Sequence, residues 1–272
     1  MLWFPIFATF GFLMAIKFFV PTFLTEASWL SFGVIRPAHV NGLLFGFLSS
    51  GLIGTMYYVV PRLSNACLYK PNIGKLAAIL WNGAVIVGVL LILTGNTQAR
   101  EYAEMPWVID VAIMFTLFLI GINVLGTIFH RREHKLYVSL WFYAGIVLWF
   151  PIVYFIGNVM WNPPTGALYG LIDGIVNWFY GHNVLGLWFT PFAIALWYYF
   201  IPRLTKRPLY SVTLSYISFF ALAFFYTGVG GHHILQTPIP EWLKTIAIVT
   251  SGLMMFSVLT FGTNIGMTLR GA

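Results

Sequence analysis

Eight runs of apolar residues, separated by short polar clusters, account for nearly the whole chain. A helix rising 1.5 Å per residue needs about 20 residues to cross about 30 Å of hydrocarbon. Runs at roughly 2–24, 37–61, 74–94, 105–129, 137–157, 171–201, 210–236 and 242–268 meet that length. They predict an all-α, polytopic transmembrane bundle of about eight helices, forming a single transmembrane domain over 1–272. Charge and proline mark the breaks: Arg62 to Lys70 and Lys75, Arg100 to Glu104, Arg131 to Lys135, Asn162-Pro163-Pro164, Arg203 to Pro208, and Pro238 to Glu241. None of these connections is long enough to be a soluble domain, and neither an internal repeat nor a low-complexity segment is visible. The first run carries Lys17 and lacks a small-residue cleavage site, so it reads as a span rather than a removable signal.

Composition agrees with this pattern. The chain of 272 residues is 60% hydrophobic and 19% aromatic, with 8% charged residues, a balance foreign to soluble domains. Its net charge of +7 would suggest nucleic acid in a soluble protein, but here it resides in loops that set topology, so no nucleic-acid partner is expected. If the spans alternate, Arg62, Lys70, Lys75, Arg131, Arg132, Lys135, Arg203, Lys206, Arg207 and Arg270 share one side. The positive-inside rule makes that side cytoplasmic. Glu26, Glu101, Glu104, Asp173 and Glu241 then lie outside with Arg36, Arg100 and Lys244, and both termini are inside. The single cysteine, Cys67, excludes a disulfide framework and a thiolate metal site, so any metal must be held by imidazole or oxygen.

Four polar residues in apolar helices ask for a reason to be there: His182, His232, His233 and Tyr226. Ionisable groups inside a membrane are expensive, and clustering them points to function. Tyr226 and His233 are seven residues apart, which places them within about 20° of one helix face. Adjacent His232 and His233 diverge by about 100° on a regular helix, and Gly230 and Gly231 leave room for distortion. His182 lies about eleven residues into the sixth span, a depth that an antiparallel neighbour's histidine pair can match. Three imidazoles with an open position suit copper, iron or zinc; alternatively, each hydrogen-bonds within the bundle.

His39, beside Gly42 and Gly46, is either an axial ligand to a flat cofactor or a cap at a helix entrance. His130 and His134, in a basic loop, read as solvated. Ser211, Ser215 and Ser218 form a stripe on the face that carries Tyr226, suited equally to a proton relay and to helix–helix hydrogen bonding.

Several strings together resemble the catalytic subunit I of the C-family, cbb3-type cytochrome c oxidases of the haem-copper superfamily. They are Ser31-Phe-Gly with Arg36-Pro-x-His39-x-Asn41, Glu101-Tyr-Ala-Glu104, Trp178-Phe-Tyr-Gly-His182-Asn183, Arg207-Pro-x-Tyr-Ser, and Tyr226 ahead of His232-His233. The likeness runs through essentially the whole chain. It implies a bacterial inner-membrane terminal oxidase that reduces O2 to water with electrons from a c-type cytochrome, coupled to proton translocation.

By the resemblance, His182, His232 and His233 hold the copper called CuB, facing a high-spin haem b3. His39 is an axial ligand of the low-spin haem b. Tyr226 is the redox tyrosine, joined covalently to His182. In the A-type oxidases that tyrosine lies on helix six, four residues after the histidine, a position occupied here by Gly186. Glu101 corresponds to a calcium-associated carboxylate, for which the alternative is a surface pair with Arg100. Tyr198 and Ser215 match positions of the proton channel. Further cytochrome c-type oxidase subunits are implied partners, alongside membrane lipid.

The chain departs from the family in length. The family has about twelve helices, with the remaining haem ligands in the tenth, while this chain stops after the eighth. With His130 and His134 on the cytoplasmic side, it is expected to ligate only part of the centre and to be inactive by itself: a fragment, an incomplete gene product or half of a split subunit. Gly33-Val34-Ile35 also replaces a family arginine, removing one contact to haem propionates. The rival readings are a nitric oxide reductase of the same superfamily, which needs a glutamate absent between Leu171 and Ile201, a proton-coupled transporter without haem, and a membrane scaffold that has lost activity.

Overall fold

The computed structural model describes residues 2–160 and 168–270; the Asn162-Pro163-Pro164 break lies outside them. Among the described residues the regular structure is helical. Eight long helices follow in order: α1 (Trp3–Phe19), α2 (Phe32–Ser64), α3 (Pro71–Leu93), α4 (Trp107–Phe129), α5 (Val138–Val159), α6 (Gly170–Thr205), α7 (Val212–Ile234) and α8 (Glu241–Arg270). Seven of them are long and apolar enough to cross a membrane; α1, with 17 residues, is shorter.

The helix bounds follow from local chemistry. The α1 helix ends at Phe19 rather than near residue 24, because Val20 leaves the helical region ahead of Pro21 and the buried Lys17 ammonium bonds back to the Phe23 carbonyl. The α2 helix starts at Phe32, five residues before the predicted edge. Its first turn is launched from the Ser31 carbonyl, which accepts from Val34 and Ile35 at 3.0 Å each, and Pro37 is accommodated inside it.

The chain forms two compact units. The first, Met1–Thr55 with Pro71–Ile120, contains α1, the first part of α2, α3 and most of α4. Here the glycines of α2 receive the rings of α1: a Cβ at Gly42 would overlap Phe7, and one at Gly46 would overlap Trp3. The Trp3 and Phe7 rings are stacked at 5.6 Å. The flat groups lying on these glycines are therefore the protein's own.

The second unit, Met56–Lys70 with Gly121–Ala272, holds α5 to α8 and the ends of α2 and α4. Its basic loops gather at one end. Arg132 N–H donates to Ser64 O at 2.9 Å, and Arg62, Lys135 and Leu209 line one cavity of about 410 Å³. Asn264 on α8 clamps the start of α7, accepting from Ser211 N–H at 2.9 Å and donating to Ser211 O at 2.7 Å. The α7 helix then runs about 30 Å from that end to Ile234, carrying its histidines to the far side of the unit.

Candidate metal centre

The three histidines read from sequence converge. His182, His232 and His233 offer ligand atoms that all lie within 4.8 Å of one another. His182 Nδ1 and His233 Nε2 are 3.0 Å apart. Two bonds of about 2.0 Å to one ion span that separation at an angle of about 97°, so the spacing of the pair suits a shared metal. The remaining His182 nitrogen, Nε2, is buried without a hydrogen-bond partner. The donor set is all imidazole, the chemistry expected of copper, zinc or iron rather than calcium.

Neighbouring His232 and His233 diverge around the helix axis, yet their side chains reach one centre. Residues Gly230–Ile234 form a 3₁₀ turn at the end of α7, which advances about 120° per residue. The two rings lie nearly perpendicular, 80° apart with centroids 4.4 Å apart. His233 stacks on Trp178 at 4.2 Å and 19°. His232 turns Nδ1 to the Ser251 hydroxyl at 3.2 Å. Gly230 is required because a Cβ there would press on the Trp178 carbonyl of α6. One turn past Trp178, Asn183 bonds the Phe179 carbonyl at 2.8 Å and the Thr227 carbonyl at 3.4 Å, tying α6 to α7 beside the centre.

Tyr226 stacks on His182, centroids 4.5 Å apart and planes 23° apart. The arrangement is face to face. A covalent link joins ring edges, so forming one would require a ring to swing out of this stack. Directly after His182, α6 widens into a π turn at Leu185–Phe189, a feature often found at functional sites, and Gly186 within it lies under the Tyr226 ring.

His39 belongs to the other unit. Its Nδ1 is 2.6 Å from the Phe7 carbonyl, which can only accept, so the proton sits on Nδ1 and Nε2 keeps its lone pair. The ring lies against Gly11 of α1, where a Cβ would meet the imidazole at 2.5 Å. A ligand histidine tied through its second nitrogen to a carbonyl is the usual outer-shell arrangement, so His39 fits an axial role.

Glu101 pairs with Arg36 in the same unit. Arg36 also approaches Glu104, with Nη1 to Oε1 at 3.7 Å, and Asn41 donates to Glu104 Oε2 at 2.9 Å. Glu104 is 3% exposed, and burial pushes its carboxyl up to about 7.

The serine stripe makes helix contacts. Ser211 caps α7, accepting from Leu214 N–H at 3.2 Å. Ser215 donates to Val212 O at 2.6 Å within its own helix, and the Ser218 backbone carbonyl accepts from the Ser257 hydroxyl at 3.0 Å while the Ser218 hydroxyl itself is buried without a hydrogen-bond partner. Ser215 also borders the cavity at the basic end. The Tyr198 hydroxyl is buried, while its carbonyl accepts from the Tyr137 hydroxyl at 2.6 Å. Sequence reasoning missed Ser251, Asn264 and the role of Asn41. Each reaches a partner on a different element, and a serine or asparagine in an apolar run does not say which neighbour it faces.

These features define a helical membrane protein with a three-imidazole centre, and the family agrees. The whole chain, residues 1–272, matches the family model described as Cytochrome C and Quinol oxidase polypeptide I; the chain belongs to that family and is an integral membrane protein.

Among curated proteins it is similar to the cytochrome c oxidase subunit 1 homolog of Azorhizobium caulinodans, 34% identical over 270 residues, covering 96% of this chain and 49% of that protein. It is also similar to the Cbb3-type cytochrome c oxidase subunit CcoN1 of Stutzerimonas stutzeri, 32% identical over 252 residues, covering 91% of this chain and 53% of that protein. A more distant relative is a subunit of the nitric oxide reductase of Stutzerimonas stutzeri, 28% identical over 284 residues, covering 94% of this chain and 55% of that protein. The chain spans about half the length of the curated relatives it matches.

Proposed function

We propose that this chain acts in a cbb3-type respiratory terminal oxidase of a bacterial inner membrane, reducing O2 to water with electrons from a c-type cytochrome and moving protons across the membrane. Both termini face the cytoplasm in this reading, and the partners are further oxidase subunits, including c-type cytochromes. The observation that carries it is the convergence of His182, His232 and His233 with Tyr226 stacked on His182.

The three imidazoles would hold the copper called CuB, and His39 Nε2 would hold a low-spin haem b; a high-spin haem b3 would complete the set. When bound, this set supplies the electron chemistry that cleaves the oxygen–oxygen bond. The chain's own residues do the rest. Trp178 and Asn183 fix the ligands and keep α6 against α7. Tyr226 holds a proton at its phenolic oxygen beside the centre and can release it together with an electron. Ser215 and Tyr198 serve proton entry from the basic end, where Ser215 borders the cavity lined by Arg62 and Lys135. Glu101 offers a hard oxygen for calcium, which would have to share it with Arg36.

Metal analysis of the assembled complex tests the assignment. Copper near one per two b-type haems, with O2 uptake driven by reduced cytochrome c, is expected; non-haem iron without copper would sink it. The competing nitric oxide reductase reading draws on the 28% identical relative, but between Leu171 and Ile201 no glutamate is available to complete an iron site.

A further inference from the structure

We propose that Ser251 on α8 is a positioning residue for the metal centre, fixing His232 in the tautomer that presents Nε2 to the ion; this rests on the metal reading above. The hydroxyl of Ser251 lies 2.6 Å from the Ala247 carbonyl, one helical turn back. A carbonyl can only accept, so the hydroxyl proton is spent there and the oxygen lone pairs are left for other partners. His232 Nδ1 stands 3.2 Å from that oxygen. The bond forms only if Nδ1 carries the imidazole proton. A neutral ring has one N–H, so Nε2 keeps its lone pair for metal.

The three ligands differ in what holds them. His233 is braced by the face of Trp178. His182 turns Nδ1 toward His233 Nε2. Among the described residues, His232 alone has a side-chain oxygen on its outer nitrogen. Outer-shell partners of this kind set ring orientation and ligand basicity. The approach of α8 is permitted by Gly231, where a Cβ would come within 3.1 Å of Ala247 Cβ, the residue whose carbonyl orients the hydroxyl. The ligand pair and its brace are thus coupled through one close crossing of α7 and α8.

The test uses the full-length subunit purified with its partner subunits, as wild type, Ser251→Ala, Ser251→Thr and Ser251→Val. Thr and Val have nearly the same shape and differ in the hydroxyl, so they separate hydrogen bonding from packing. Haem content and melting temperature report assembly; copper retention under a chelator and imidazole coordination by copper-edge X-ray absorption report the centre. The Ala and Val variants are expected to hold copper about 10- to 100-fold more weakly with altered coordination, while Thr behaves as wild type. Wild-type copper retention and coordination in Ala and Val would overturn the proposal, as would equal losses in Thr and Val. A wild-type complex free of copper would overturn the metal reading itself, a result distinguishable from either.

Discussion

The ring of Tyr226 on α7 occupies the space that a side chain at Gly186 on α6 would need. The two positions are complementary: one helix gives up a side chain and the other supplies a ring that stacks on His182 at 4.5 Å. Gly186→Ala is therefore expected to push Tyr226 out of its stack. Overpacking at such a contact costs about 1–3 kcal/mol, so the complex should assemble with a lowered melting temperature and lose most of its oxygen turnover. Normal turnover and stability in this variant would show that the close fit has no consequence.

Tyr226→Phe isolates the hydroxyl. The ring and its stack remain, so copper content and stability should stay near wild type. Oxygen reduction should fall by at least about 100-fold, the lower end of what a positioned proton donor contributes. Stopped-flow mixing of the reduced complex with O2 checks this. A Phe variant that turns over at the wild-type rate would remove Tyr226 from the chemistry and leave it a packing residue.

The membrane helices were legible because hydrocarbon imposes one rule on every span, length with low polarity, and α3 to α8 lie close to their predicted edges. The centre was legible for the same reason: an imidazole in an apolar run is conspicuous, as His182 and His232 are. What could not be read is pairing across helices. Gly42 and Gly46 were expected to admit a flat ligand, yet they seat Phe7 and Trp3. Glu101 pairs with Arg36 of α2, 65 residues away in sequence, a partner that no local pattern announces. The regular-helix angle of about 100° between His232 and His233 also gave way to a 3₁₀ turn, beside which Gly230 meets the backbone of α6.

Glu104 should make the loop between α3 and α4 pH-dependent. Its carboxyl is raised from 4.5 to about 7, first by burial, while the Asn41 hydrogen bond works in the opposite direction. A raised carboxylate pKa means the folded state binds the proton more tightly than the open one. The stabilisation is then fullest below about 4.5 and is lost as pH rises toward about 7, with a span on the order of 3 kcal/mol. Hydrogen exchange at the Gln98 amide, which donates to Glu104 O at 3.0 Å, reports this opening. After correction for intrinsic exchange, protection should fall from pH 5 to pH 7 in wild type and stay flat in Glu104→Gln. The same slope in both would place the titration elsewhere.

Gly11 should matter to the haem b site proposed for His39. The imidazole lies against the α1 backbone at Gly11, with Nδ1 donating to the Phe7 carbonyl four residues earlier. A Cβ at position 11 would come within 2.5 Å of the ring, closer than van der Waals contact permits. Gly11→Ala must therefore either tilt the imidazole off the Phe7 carbonyl or move α1 away from α2. Both disturb the Nε2 lone pair on which axial ligation depends, while alanine favours α1 itself. Low-spin haem absorption should weaken or shift, with copper content unchanged. Gly33→Ala serves as the control, since a Cβ there meets nothing within 4 Å. An unaltered low-spin spectrum in Gly11→Ala would show that His39 is not held in this way when haem is bound.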